Sequence, residues 1–426
     1  MRRAKIPAVK TGTSATLSEM DARHASIHWL IAAVFLQMLP ATLLAPAIRP
    51  LFAQFHEGAE GPMHAFMSLN MLGAILTTPL ITRLVSSASA QSSARWLMML
   101  AGLDAALLAT LSMPLSTPLI LVLRTFEGAA HLGAATLLLA RAAAYKPLIG
   151  AGRAMGMAGG AVMLAIAFGS GLGGILVGES PRLPFFVGAS LSLIVALVAP
   201  YLYSSTLPLE RSETSTAKAL SLRDPNIMGP LSAAFVERFT VGLIIVTFAL
   251  FATKTHGLSD RSIGLLYSML MLPFALLMYP ASRLGDRVPR SGLLGLGTLA
   301  YGASIASLAL VPKSLLPLSM IGAGVASSFM YGTVLCYAAT LVPAASRGRM
   351  MALVNTAGAF GMLLGPMVGG ILVAIGKRQA DPLSAYRNVF YLAGVVCVFW
   401  VLFQMRWLVA RLRSERGERA VAALQT

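Results

Sequence analysis

Arg124, Glu127, Gly128 and His131 stand three and four residues apart, the spacing that stacks side chains on one face of a helix. The stretch around them, LVLRTFEGAAHLG, is otherwise apolar. A carboxylate in such surroundings holds or releases a proton according to whether burial or the neighbouring arginine dominates, and an imidazole one turn away can relay it or touch a ligand. The same Arg124–Glu127 pair can equally lock two helices together, and His131 can equally be a packing residue. Asp104, Glu237 and Arg238 are further charges inside apolar runs. Glu237 and Arg238 are adjacent, so they are expected to point in different directions. One would face a cavity, the other a neighbouring helix or the solvent boundary.

The elements that must position these residues follow from composition. Of 426 residues 57% are apolar and only 12% charged, against about 25% charged in soluble domains, and the mean hydropathy is +0.75. A soluble domain cannot cover its surface with so few polar groups. Separate apolar runs of about 20 residues match the length of a membrane-crossing helix. They are too long and continuous for barrel strands, so an all-α polytopic membrane protein is expected. Charges at that depth are costly and usually functional.

Gly348 to Gly376 (GRMMALVNTAGAFGMLLGPMVGGILVAIG) and Gly152 to Gly178 (GRAMGMAGGAVMLAIAFGSGLGGILVG) share one register and end alike, GGILV against GGILV. This is an internal repeat. Twelve spans in two six-helix halves are expected: a polar tail over 1–27 read as disordered, a bundle over 28–205, a linker over 206–228, a bundle over 229–409, and a charged tail over 410–426. Pro40 and Pro46 should bend the first span. With both termini cytoplasmic, the opposite face holds only Arg49, Arg182, Lys254, Arg261, Lys313, Lys377, Arg378 and Arg387 of the 33 Lys and Arg. That asymmetry follows the positive-inside rule and accounts for the net charge of +17 without nucleic acid. Cys336 and Cys397 lie in apolar runs and read as buried packing residues, and residues 1–27 lack the apolar core of a signal peptide. No HExxH, P-loop, nucleophile elbow or paired metal ligands occur, so neither an enzyme, a metal site, a cofactor nor ATP-driven transport is expected.

Three motifs then resemble the major facilitator superfamily over essentially the full length. Leu284, Asp286, Arg287 and Arg290 match its G-x-L-x-D-R-x-G-R loop, with Ser282 and Pro289 at glycine positions. Arg124 and Gly128 match the R-x-x-Q-G signature common among proton-driven exporters, with Glu127 in place of glutamine. Gly361, Gly365-Pro366 and Gly369-Gly370 resemble the G-P-x-x-G-G antiporter signature, whose proline is missing from Gly169 and Gly173-Gly174. The resemblance implies the major facilitator fold, alternating access and a monomer in the bacterial inner membrane, surrounded by lipid. It implies export of small organic or amphipathic compounds against protons. Uptake of an organic anion, siderophore or nutrient, and lipid flipping, are the alternatives. On this reading Glu127, Arg124, Glu237 and Asp104 couple protons. Gln37, Asn70, His131, Arg238, Tyr267, Tyr331, Asn355 and Thr356 line the substrate cavity. Asp286, Arg287 and Arg290 gate the transporter together with Gly169, Gly173, Gly174, Gly361, Gly365, Pro366, Gly369 and Gly370, because bare backbone lets helices slide closely. Asp104, in the third span, is expected to lie away from the cavity and to pair with a neighbouring helix.

Overall fold

The computed structural model describes residues 17–424 except 57, 88, 146–150, 205–219, 344–345 and 379–382. The first span is broken where its prolines fall. α1 (Leu17–Met38) ends ahead of Pro40, α2 (Pro40–Leu43) and a 3-10 turn (Ala45–Ala47) follow, and α3 (Ile48–Phe55) completes it. Proline removes an amide donor and crowds the preceding turn, which forces these breaks. Next come α4 (Glu60–Ser87), α5 (Ala90–Leu111), α6 (Thr117–Ala143), α7 (Ala151–Val177) and α8 (Leu183–Leu202). The second series is α9 (Pro225–His256), α10 (Asp260–Arg287), α11 (Arg290–Ser307), α12 (Leu316–Thr340), α13 (Arg347–Gly376) and α14 (Ser384–Phe403), closed by α15 (Met405–Leu424). Asp224 caps α9 by accepting the Asn226 amide at 2.9 Å, so this helix starts inside the expected linker.

Two expectations are corrected. Residues 17–27 are helical, and residues 1–16 lie outside the described set. Among the described residues ten segments, not twelve, are long and apolar enough to cross a membrane: Ile27–Phe55, α4, α5, α7 to α10, and α12 to α14. α6 is long enough, but Arg124, Glu127 and His131 dilute its apolar character; α11 is short and rich in Gly and Ser. Both nevertheless pack within the bundle, α6 on α4 and α5, and α11 on α12 and α14.

The packing has pseudo-two-fold symmetry. α4 lies on α6 as α10 lies on α12, and α5 lies on α8 as α11 lies on α14. α7 meets the broken first span as α13 meets α9. Between the two series, α7 packs on α10 and α4 on α13. One large apolar core fills the second series and reaches the ends of α3, α4 and α8; smaller cores lie within the first. α9 is buried along most of its length, as befits a helix apolar all round.

Candidate functional site

A buried polar network sits inside the first series, built by close helix approach. A Cβ on Gly73 would run into the Thr125 carbonyl and lie 2.8 Å from the Ala129 nitrogen; one on Gly128 would lie 2.8 Å from the Asn70 Cα. α4 and α6 therefore touch through bare backbone at these two points. That contact lets the Asn70 side-chain amide donate to Glu127 Oε2 at 2.8 Å. Arg124 Nη1 donates to the same oxygen at 2.5 Å, and its guanidinium lies 4.6 Å from the centre of the Phe66 ring. The expected Arg124–Glu127 pair forms, and both side chains are only 3% exposed.

One turn further along α6, His131 Nδ1 is 3.0 Å from Asp104 Oδ2 on α5. The same oxygen accepts from Gln37 Nε2 on α1 and from Ser192 Oγ on α8, each at 2.8 Å. Four helices thus place six sequence-singled residues in two adjoining clusters, Asn70 with Arg124 and Glu127, and Gln37 with Asp104 and His131; α8 brings Ser192 to the second. Ser192 is an addition; a serine in an apolar helix carries no local signal of this role. Asp104, Glu127 and His131 each offer one ligand atom within 4.8 Å of the others, a grouping invisible in sequence spacing. Gln37 and Asp104 have no exposed surface and His131 is 2% exposed.

In the second series Glu237 and Arg238 do not diverge. Arg238 Nε lies 3.2 Å from Glu237 Oε2, because the long arginine side chain folds back over the 100° that separates neighbours on a helix. Ser327 of α12 donates to Glu237 Oε1 at 3.0 Å. The Arg238 guanidinium lies 4.8 Å from the centre of the Tyr331 ring and 5.8 Å from that of Phe274, with 21% of its side chain exposed. Cβ atoms on Gly358 and Gly361 of α13 would lie 3.1 Å and 3.2 Å from its stem.

The glycine register of the repeat reappears in space. Gly169 and Gly173 of α7 face the backbone of Leu39 and Leu43; Gly365 and Gly369 of α13 face that of Phe239 and Leu243. The next residues cross between the series. Gly174 meets Gly264 of α10, and Gly370 meets His64 of α4. At the same end, two ionic clusters tie the series together. Arg49 grips Asp260 through Nε at 2.9 Å and Nη2 at 2.6 Å. Glu60 receives Lys254 at 2.5 Å, Lys377 at 2.7 Å and the Tyr386 hydroxyl at 2.8 Å.

The remaining residues fall elsewhere. The Tyr267 hydroxyl donates to the Ile245 carbonyl and its ring packs on Phe248. Tyr331 serves Arg238. Asn355 and Thr356 are exposed on α13, where Thr356 donates back to the Ala352 carbonyl at 2.9 Å. Pro366 packs against Gly242. Arg287 is exposed, Arg290 donates to Thr340 at 3.4 Å, and the Asp286 side chain lies outside the described residues. Cys397 is buried and Cys336 partly so. α15 docks where a tail was expected: Glu415 accepts from the Ser291 amide at 3.2 Å, the Ser291 hydroxyl at 3.0 Å and the Tyr337 hydroxyl at 2.6 Å.

Residues 30–229 and 230–425 match the model of the Major Facilitator Superfamily. Among relatives, an uncharacterized MFS-type transporter of Methanocaldococcus jannaschii is 29% identical over 32% of this chain and 36% of its own length. Multidrug resistance protein 2 of Bacillus subtilis is 21% identical over 60% of this chain and 64% of its own. The chain thus spans less than two thirds of either relative. Among solved structures, a bacterial homolog of the human lysosomal transporter Spinster superposes with a TM-score of 0.75 at 16% identity, over 92% of this chain and 97% of that one. A D-xylose-proton symporter superposes with a TM-score of 0.69 at 14% identity, over 88% and 97%.

Proposed function

Because the chain belongs to the Major Facilitator Superfamily, and so is an alternating-access secondary transporter and not an enzyme, we propose that it exports small organic or amphipathic compounds against protons, with the Glu127–Asp104 network as the proton carrier. The observation that carries this reading is the network itself. Two carboxylates and an imidazole, held in two adjoining hydrogen-bonded clusters (Asn70–Glu127–Arg124 and Gln37–Asp104–His131–Ser192) whose ligand atoms lie within 4.8 Å of one another, are enclosed in the first half of the bundle. Buried ionisable groups in a membrane protein mark ion pathways. Arg124 competes with a proton for Glu127; because both stand on α6, the exchange takes a turn of the Arg124 side chain and not a shift of the helix. Two six-helix halves are part of this reading, with α6 and α11 taken as spans that accept polar content because they face protein.

Alternating access needs the halves to rock about a central site. The glycine contacts of α7 and α13 supply smooth surfaces for that motion, and the two ionic clusters hold one end shut. With both termini placed in the cytoplasm of a bacterial inner membrane, the shut end is the outer one. Arg238, stacked on Tyr331 and partly exposed, is then placed to meet an aromatic or anionic group of the substrate. It also favours the second reading, uptake of an organic anion. Everted vesicles decide between them. Under an inside-acid gradient they should accumulate ethidium, a nucleoside or xylose in wild type but not in Glu127→Gln. Accumulation indifferent to the gradient and to the substitution would contradict proton-driven export, and loss of an internal load of the same compound would favour uptake.

A further inference from the structure

The carboxylate of Asp104 is satisfied on one side only. Its Oδ2 accepts from Gln37, Ser192 and His131, while its Oδ1 is buried without a hydrogen-bond partner. Gln37 Oε1 and His131 Nε2 are also buried and without partners. The Gln37 amide cannot be turned over, since that would set its oxygen 2.8 Å from Asp104 Oδ2. Its Oε1 therefore belongs to the cluster as an acceptor. His131 Nδ1 faces the carboxylate; in the neutral ring it carries the proton there, which leaves Nε2 as a lone pair. Three acceptors share one buried network and lack donors, an arrangement proteins avoid unless something serves them.

Charge points the same way. Arg124 balances Glu127, and whenever the imidazole is neutral Asp104 retains an unbalanced negative charge. A single proton would give one of the three acceptors a hydrogen and leave the others as they are. A coordinating cation serves several together. The ligand atoms of Asp104, Glu127 and His131 lie within 4.8 Å of one another, about twice a cation–oxygen bond of about 2.4 Å. A divalent ion would leave the cluster positive with Arg124 bonded to Glu127. One imidazole without thiolates is also a poor transition-metal set.

We propose that this cluster binds one monovalent cation of the sodium class, Na+ or Li+, through Asp104 Oδ1 and Gln37 Oε1 with Glu127 completing the oxygen set. The charged and polar groups facing this place are Gln37 from α1, Asn70 from α4, Asp104 from α5, Arg124, Glu127 and His131 from α6, and Ser192 from α8. The site deepens the coupling role proposed above and rests on it only for its place in transport; binding itself stands apart.

The test is 22Na+ binding to purified wild type in detergent, with thermal stability followed as NaCl, LiCl, KCl or choline chloride is added at fixed ionic strength. One sodium should bind saturably and be displaced by lithium but not by choline. Asp104→Asn should abolish binding, and Gln37→Ala should weaken it at least tenfold. No saturable sodium or lithium binding by wild type overturns the proposal, as does undiminished binding by an Asp104→Asn variant that elutes as folded protein. Proton-driven flux in sodium-free choline buffer without sodium binding would remove the cation site and leave proton coupling intact. Sodium binding without proton-driven flux would do the reverse.

Discussion

Gly128→Ala should uncouple α4 from α6. The added Cβ would lie 2.7 Å from the Asn70 carbonyl carbon and 2.8 Å from its Cα, where ordinary contact begins at 3.4 Å. Both neighbours are backbone, so neither can swing aside. The Asn70 carbonyl oxygen is closer still; clearing the carbonyl carbon alone takes a rigid withdrawal of α4 by 0.7 Å, the difference between 3.4 Å and 2.7 Å, which lengthens the Asn70–Glu127 hydrogen bond from 2.8 Å to 3.5 Å. That exceeds the upper limit of about 3.2 Å for such a bond. Overpacking costs about 1–3 kcal/mol, and a hydrogen bond to a charged group is worth about 1.5–3 kcal/mol. The variant should therefore lose about 2.5–6 kcal/mol of unfolding free energy, measured in mixed micelles. Gly156→Ala is the control. A Cβ there meets nothing within 4 Å, and alanine is the better helix former by about 0.5–1 kcal/mol. It should be neutral or stabilising. A Gly128→Ala protein as stable as Gly156→Ala would refute the close-contact argument.

The ionic clusters at the shut end are partly exposed, with Lys254 45% and Lys377 37% accessible, so each is discounted to about 1 kcal/mol. Glu60→Gln with Asp260→Asn should then shift the open-to-shut ratio at that end by about tenfold or more, read as distances between spin labels on α4 and α10; an unchanged distance distribution would contradict the latch. Arg238→Lys keeps the charge but loses the planar stack on Tyr331, so the apparent KM should rise severalfold with little change in maximal rate. Glu415→Ala removes the acceptor of three hydrogen bonds. It should release α15 and speed tryptic cleavage after Arg411, Arg413 and Arg416 without loss of the helical signal.

The repeat was legible because it is local and periodic. The matching letters of α7 and α13 reappear as matching contacts, Gly169 and Gly173 against the first span, Gly365 and Gly369 against α9. The α6 trio was legible for the same reason, since i, i+3 and i+4 spacing fixes a shared face. Asp104 was read as pairing with a neighbouring helix, and it does so, but the identity of its partners depends on how α1, α5, α6 and α8 converge. Nothing in local spacing states that. The Glu237–Arg238 pair escaped because adjacency suggests divergence, and only a long flexible side chain undoes it. Glu60, Lys254, Lys377 and Tyr386 sit at helix ends where polar residues are ordinary, so their convergence across the halves left no mark in the chain. The span count fell short where chemistry and hydropathy oppose each other: the residues that make α6 interesting are those that make it polar.

If Glu127 and Asp104 carry the proton that drives export, substrate binding should displace it. The most direct measurement is proton release from purified protein in weakly buffered detergent, recorded with a pH dye as ethidium is added. About one proton should be released per ethidium bound by wild type, and none from Glu127→Gln or Asp104→Asn at matched occupancy. Ethidium binding with no proton released by wild type, or with release unchanged in both variants, would contradict it.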